Sequence, residues 1–258
     1  MESFDAKTEI ERLSEKLLSI PGRKVVAYSG GVDSTLVAYL CKINDPESVA
    51  VTLKGEAIPE REIENAIKIA EILGLNHRII EISQLKILGF IQNPPERCYY
   101  CKKRFINKLM MEFPGTAILD GTNKDDFSDI RPGIKALKDF GVVSILEDYT
   151  KEQIRQMAKE IGLPNWNRPS ASCLATRIPF NQHISKDLLD KIDRAEKKIQ
   201  ELGFSIVRVR VSGMNARLEV GRDEVEKAFN LRNEITKILR KEGFERVSLD
   251  LEGYRNMI

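Results

Sequence analysis

Histidine is close to absent from this sequence, with two in 258 residues, and His77 and His183 both read as structural or exposed side chains. Four cysteines are too few for a secreted disulfide scaffold of this length and point instead to metal or catalytic roles. No apolar run approaches the ~20 residues that a membrane-spanning helix needs. The charged N-terminus carries no signal-peptide pattern, so a cytoplasmic location is expected and a membrane partner is not. Lys and Arg number 41 against 39 Asp and Glu, a formal charge of +2, which gives no strong electrostatic case for nucleic acid. Internal repeats, coiled-coil heptads and low-complexity tracts are also missing. What remains, 42% hydrophobic and 31% charged residues, describes a globular chain able to bury one large core or two unequal ones.

The most informative stretch lies near the start. Lys24 to Tyr28 reads as a short apolar strand, and Thr35 to Ile43 as a helix with Leu36, Val37, Leu40 and Cys41 on one side. Between them stands Ser29-Gly-Gly-Val-Asp-Ser34. A Gly-rich turn from a strand into a helix collects backbone N–H groups and a positive dipole end at one point, which is a phosphate site. Neither a Walker A lysine nor the dinucleotide pattern of three glycines is present. Gly30 and Gly31 permit close backbone approach, and Ser29 and Ser34 add hydroxyl donors. Asp33 beside a phosphate calls for a bridging cation, which suggests Mg²⁺. The plain alternative is a Gly-Gly turn with a Ser or Asp helix cap. The string resembles the PP-loop of the ATP pyrophosphatases. That resemblance implies ATP as substrate, cleavage between its α- and β-phosphates, and transfer of AMP to an acceptor oxygen.

The rest of the first half alternates strands with helices. An amphipathic helix (Ile10, Leu13, Leu17, Leu18) precedes the loop; strands follow at 48–53, 77–81, 116–120 and 142–144. Pro59 opens a helix with a buried stripe of Ile63, Ala66, Ile67, Ala70 and Leu73, and Thr150 with Gln153 forms a capping box. This order predicts an α/β fold with a doubly wound parallel sheet, its ligands beyond the strand C-termini. A Pro-, Ser- and Asn-rich connector over 165–181 separates it from a smaller C-terminal α+β unit. That unit has a helix at 185–202, strands at 205–211, 216–220 and 246–251, and a helical stretch at 223–241 broken near Asn230. The expected domains are 1–165 and 166–258.

Cysteine carries the second constellation. Cys98 and Cys101 stand three apart at a helix start whose apolar positions are Phe105, Leu109 and Phe113. Arg97 and Lys102 flank them and favour thiolates and anions. Cys173 lies in the connector, and Cys41 belongs to a helix core. Three thiolates suit a [4Fe–4S] cluster with one open iron better than a four-ligand structural zinc. A reduced C-x-x-C with an unrelated Cys173, or a structural metal, remains the alternative. Asp120, Thr122 and Asp125, after the fourth strand, are candidates for Mg²⁺ or ATP, the alternative being an Asp/Asn-rich turn. Arg177 could meet a substrate carboxylate or phosphate, or form a connector salt bridge. Arg208 and Arg210 alternate with valines along one strand, and Arg217 on the next strand extends a basic face, either an anion site or a ladder paired to Glu219.

Taken together, Ser-Gly-Gly-Val-Asp-Ser, Pro-Pro-Glu-Arg-Cys-Tyr-Tyr-Cys-Lys, the 120–126 segment and Ser172-Cys-Leu-Ala-Thr-Arg-Ile-Pro179 resemble the LarE family over most of the chain. LarE enzymes adenylate the carboxylates of pyridinium-3,5-biscarboxylic acid mononucleotide and replace oxygen with sulfur, making the organic part of the nickel-pincer cofactor of lactate racemase. Some members sacrifice the sulfur of one cysteine; others hold a [4Fe–4S] cluster with three cysteines and a transferable sulfide. The three-cysteine pattern implies Cys98, Cys101 and Cys173 as cluster ligands. Cys173 also matches the sacrificial position, which keeps that mechanism as the rival. Asp33, Arg177 and Glu196 complete the implied catalytic set, with Glu196 matched to an acidic residue near the LarE active site. The resemblance further implies a sulfide donor and a homo-oligomer. The competing readings are a tRNA thiolation enzyme, an amidotransferase-type synthetase, and a non-catalytic nucleotide sensor or iron–sulfur scaffold.

Overall fold

Five parallel strands in the order β3-β2-β1-β4-β5 form the main sheet of the computed structural model, which describes residues 4–128 and 132–255. They are β1 (Lys24–Ala27), β2 (Val49–Lys54), β3 (His77–Glu81), β4 (Ala117–Asn123) and β5 (Val143–Leu146). β1 and β2 are mostly apolar, as burial on both faces demands. The helices of this unit are α1 (Ala6–Ser19), α2 (Val32–Asn44) and α3 (Glu60–Ile72); α4 (Leu88–Ile91) belongs to the second unit. Further along, α5 (Arg97–Glu112), α6 (Pro132–Asp139) and α7 (Lys151–Glu160) complete the first. The chain winds outward from β1 to β3, then returns beside β1 as β4. That reversal makes the C-terminal edge between β1 and β4 the switch point where a doubly wound sheet binds ligands.

The chain divides into two units, residues 1–83 with 96–171, and residues 84–95 with 172–258. The second contains α8 (Lys186–Gln200), β6 (Val207–Ser212), β7 (Asn215–Val220), α9 (Val225–Asn230), α10 (Arg232–Lys241) and β8 (Arg246–Leu249). Its sheet is mixed: β6 pairs antiparallel with β7, and β7 parallel with β8. Leu189, Ile192, Ala195 and Ile199 of α8 are buried, and α8 packs on β6, whose Val207, Val209 and Val211 form the inner face.

Several local expectations need correction. Leu18 is 63% exposed: it lies roughly 100° around the helix from the buried Leu17. On α3, Ile69 is buried where Ile67 and Leu73 are half-buried, and Pro59 is the N-cap itself. Phe105 of α5 is half-buried, and the neighbouring Ile106 takes the core position. α2 begins at Val32 and β4 runs on to Asn123, so Asp33, Ser34, Asp120 and Thr122 sit inside regular elements rather than in turns. Cys41 is buried at 1% exposure, and burial pushes its thiol up to about 12, so it stays protonated in the core.

Candidate functional site

The first cluster forms where β1 hands over to α2. Tyr28 continues the β1–β2 ladder, its N–H donating to the Val51 carbonyl at 2.9 Å. Gly30 then adopts a φ of 71°, and a Cβ there would stand 2.8 Å from Cα of Ala66 on α3, so both conformation and space require glycine. Gly31 caps α2 with an extended backbone and no side-chain cap. The first turn of α2 therefore presents N–H groups and the positive dipole end to an anion. Ser34 Oγ accepts from the Ser29 N–H at 3.2 Å and lies 3.1 Å from Ser29 Oγ, so the two hydroxyls face each other across the loop. β4 supports the turn from beneath: a Cβ on Gly121 would lie 2.6 Å from the Ser34 nitrogen.

Asp33 occupies the first turn of α2. Its Oδ2 pairs with the Lys151 ammonium and accepts from Asn123 Nδ2 at 3.4 Å. Its Oδ1 is buried and has no hydrogen-bond partner among the described residues. Burial raises the Asp33 carboxyl above its usual range, against the opposing pull of Lys151. A partnerless carboxylate oxygen beside an anion-binding helix start fits a divalent cation, which takes one or two carboxylates and completes its shell with phosphates and water. Asp120 is held within the sheet. Its two oxygens accept from Ser144 Oγ at 2.6 Å and from the N–H and hydroxyl of Thr122, locking β4 to β5. Asp125 accepts from the Lys151 N–H at 2.8 Å and so holds the start of α7, which the Thr150–Gln153 capping box also fixes.

The thiols fall in both units. Cys98 is exposed and Cys101 half-buried, one helical turn apart at the start of α5 and thus on one side of it. α5 and α6 pack together and carry seven basic residues against two acidic ones, a net +5 in a chain whose total is +2. Arg97, at the head of α5, is buried.

Cys173 opens a 3₁₀ turn, Leu174–Arg177, in the second unit and is half-buried. Arg177 clamps that turn. Its Nη1 donates to the carbonyls of Ser172 and Cys173 at 3.1 Å each and to the hydroxyls of Ser172 and Thr176 at 2.6 and 2.8 Å. Its Nε and Nη2 grip Glu196 of α8 at 2.8 and 3.1 Å, with both side chains essentially without solvent exposure. Burial by itself would raise Glu196; the Arg177 charge and the Val209 N–H outweigh it and hold the carboxyl below its usual range. Removing one partner of so buried a pair costs about 3–5 kcal/mol. Arg210 ties the turn to the sheet, donating to the Thr176 carbonyl at 2.6 Å and pairing with Glu219 at 3.0 Å. Arg217 shares Glu219 at 3.0 Å, and Arg208 lies over the Tyr254 ring at 5.2 Å.

The structure thus joins Ser29, Gly30, Gly31, Asp33 and Ser34 in one loop, and Arg177, Glu196 and Cys173 in one clamp. Lys151 and Asn165 are additions. Neither carries a sequence signal, because their partners lie 118 and 135 residues away in the chain. The three thiols have the right donor chemistry for an iron–sulfur cluster. Among the described residues, no three His, Cys, Asp or Glu side chains gather into a group that could hold a metal ion.

Comparison with known proteins agrees with this geometry. A family model described as NAD synthase matches residues 8–93, which cover β1, the loop, α2 and α3. The pyridinium-3,5-bisthiocarboxylic acid mononucleotide synthase of Lactiplantibacillus plantarum is 33% identical over 91% of this chain and 87% of its own length. An uncharacterized protein of Synechocystis is 34% identical over 91% of this chain and 90% of its own. More distantly, a glutamine-hydrolysing GMP synthase subunit of Sulfurisphaera tokodaii is 27% identical over 79% of this chain and 62% of its own length.

Proposed function

We propose a function from one premise: the chain belongs to the LarE family, that of the pyridinium-3,5-bisthiocarboxylic acid mononucleotide synthase. It is an ATP-dependent sulfur transferase acting on a pyridinium dicarboxylate mononucleotide. A substrate carboxylate oxygen attacks the α-phosphate of ATP, the bond to the β-phosphate breaks, and pyrophosphate leaves. A sulfur nucleophile then displaces AMP from the acyl carbon, leaving a thiocarboxylate for the nickel-pincer cofactor of lactate racemase.

The observation that carries this reading is the uncapped start of α2 beside the orphaned Asp33 Oδ1 at the switch point of the sheet. Backbone N–H groups of the loop and the hydroxyls of Ser29 and Ser34 receive the phosphates, and Lys151 is the nearby cation that can turn toward them. Asp33 would hold Mg²⁺, which supplies charge neutralisation for the phosphates. Arg177 and Glu196 act as positioning residues that fix the Cys173 turn. Arg208, Arg210 and Arg217 are the candidates for the anionic groups of the substrate, with Arg97 as a further one.

Cys98, Cys101 and Cys173 would hold a [4Fe–4S] cluster, which when bound supplies a renewable sulfide. The second reading makes Cys173 itself the sulfur donor. It is favoured by the way Arg177 fixes the Cys173 turn, donating to the carbonyls of Ser172 and Cys173. Iron and acid-labile sulfide counted on anaerobically purified protein separate the two. About four irons per chain, lost on replacing any one of Cys98, Cys101 or Cys173 by alanine but retained in Cys41→Ala, supports the cluster. Iron-free protein after anaerobic reconstitution favours the sacrificial cysteine.

A further inference from the structure

Asn165 follows α7 in the Pro- and Asn-rich segment, where a polar side chain would ordinarily face water. Instead it is 3% exposed. Its Nδ2 donates to the Gly30 carbonyl at 3.0 Å and to Thr35 Oγ1 at 2.9 Å. Thr35 Oγ1 in turn donates to the Gly31 carbonyl at 2.8 Å, so one amide group steadies both glycines of the loop. Ala66 of α3 leaves no room for a side chain at Gly30, its Cα being 2.8 Å from where a Cβ would be. The segment bearing Asn165 is itself pinned: Arg168 pairs with Glu62 of α3 at 2.9 Å, and its carbonyl accepts from Arg155 of α7 at 3.3 Å.

The other half of the amide matters as much. Asn165 Oδ1 is buried and has no hydrogen-bond partner among the described residues. A buried acceptor without a donor is unfavourable, and an apolar side chain of similar size would avoid it. The same replacement would leave the buried Gly30 carbonyl without its donor, so asparagine is explained by the N–H that it aims at Gly30.

We propose that Asn165 is a positioning residue of the nucleotide loop, fixing the Gly30 peptide so that the neighbouring N–H groups and the α2 start are aligned for ATP phosphates before ATP arrives. This rests on the reading of the loop as an ATP site. Fixing the peptide beforehand removes an ordering cost from binding. Losing Asn165 should therefore weaken ATP binding while leaving the chemical step nearly unchanged.

The test is ATP affinity by titration calorimetry, which needs no second substrate, together with KM and kcat for pyrophosphate release. Asn165→Leu should weaken ATP binding and raise its KM about tenfold, the equivalent of one lost hydrogen bond to a positioned group. Its kcat at saturating ATP should stay close to wild type, while its thermal midpoint falls because the buried Gly30 carbonyl loses its donor. Asn165→Asp guards against misfolding as the cause. Its carboxylate opposes the Gly30 carbonyl at high pH, whereas the protonated acid donates to it, so its ATP affinity should recover as pH falls from about 8 to 6, buried carboxyls titrating high. Wild-type affinity in Asn165→Leu, or an affinity in Asn165→Asp that stays low in acid, would overturn the proposal. A wild-type protein that binds no ATP would overturn the nucleotide reading itself, whichever way the variants behave.

Discussion

The carboxyl of Asp33 is raised from its ordinary 3.8 by burial, with Lys151 and Asn123 pulling the other way. The native state then holds this proton more tightly than the unfolded chain does. Ionising Asp33 therefore subtracts stability progressively as pH climbs from about 4 through the raised value. Asp33→Asn should remove that loss, so its advantage in thermal stability over wild type should grow from about pH 4 toward neutral. Its pyrophosphate release should nevertheless fall roughly 100-fold or more, the scale on which one preorganised polar group acts in such chemistry. A variant that loses activity and stability together would make Asp33 a folding residue instead. The residue itself is legible in the sequence because Gly-Gly and Asp stand between an apolar strand and an apolar helix. Its partner Lys151 is not legible: a lysine at a helix start is electrostatically unfavourable by itself, and only the fold brings Asp33 to it.

Among elements, the closest fit is between the first turn of α2 and the end of β4. Gly121 has an ordinary φ, so neither a turn nor a left-handed backbone explains it. Its role is contact: a methyl there would meet the Ser34 nitrogen at 2.6 Å and the Asp33 carbonyl carbon at 2.9 Å. Both atoms are backbone and cannot rotate aside. Gly121→Ala should therefore shift the start of α2, lowering thermal stability and weakening ATP binding in parallel. Unchanged ATP affinity in a folded Gly121→Ala protein would show that the loop does not depend on its bed in β4. Sequence patterning locates β1, β2, α2, α3 and the capping box of α7, since each has clear period or punctuation. It misses α6, an eight-residue helix opening on Pro-Gly, and the short turns and helix over 84–91, because neither is long enough to show a period. Patterning also starts α2 three residues late, because Gly31 caps it with backbone geometry and not with a side chain.

At the scale of the whole molecule, two units carry different chemistry in one chain. The first holds the sheet, the nucleotide loop and the Cys98–Cys101 pair; the second holds Cys173 and its Arg177–Glu196 clamp. No helix among the described residues is long and apolar enough to cross a membrane. The net charge of +2 conceals a strongly basic α5–α6 pair around the exposed thiol, a local asymmetry that total composition cannot reveal. Likewise, the arginines that alternate along β6 and β7 leave an anion site and a Glu219-paired ladder equally open in the sequence, and in the fold two of them share the buried Glu219. Alternation gives the face of a strand but not the partners that fold over it.

The most direct test is to incubate the anaerobic protein with ATP, Mg²⁺, sulfide and pyridinium-3,5-biscarboxylic acid mononucleotide, and to count pyrophosphate, AMP and thiocarboxylate per chain. Equal amounts of the three, rising beyond one per chain while sulfide lasts, are the predicted result. ATP bound without pyrophosphate release, or pyrophosphate released with no thiocarboxylate formed, would contradict the account.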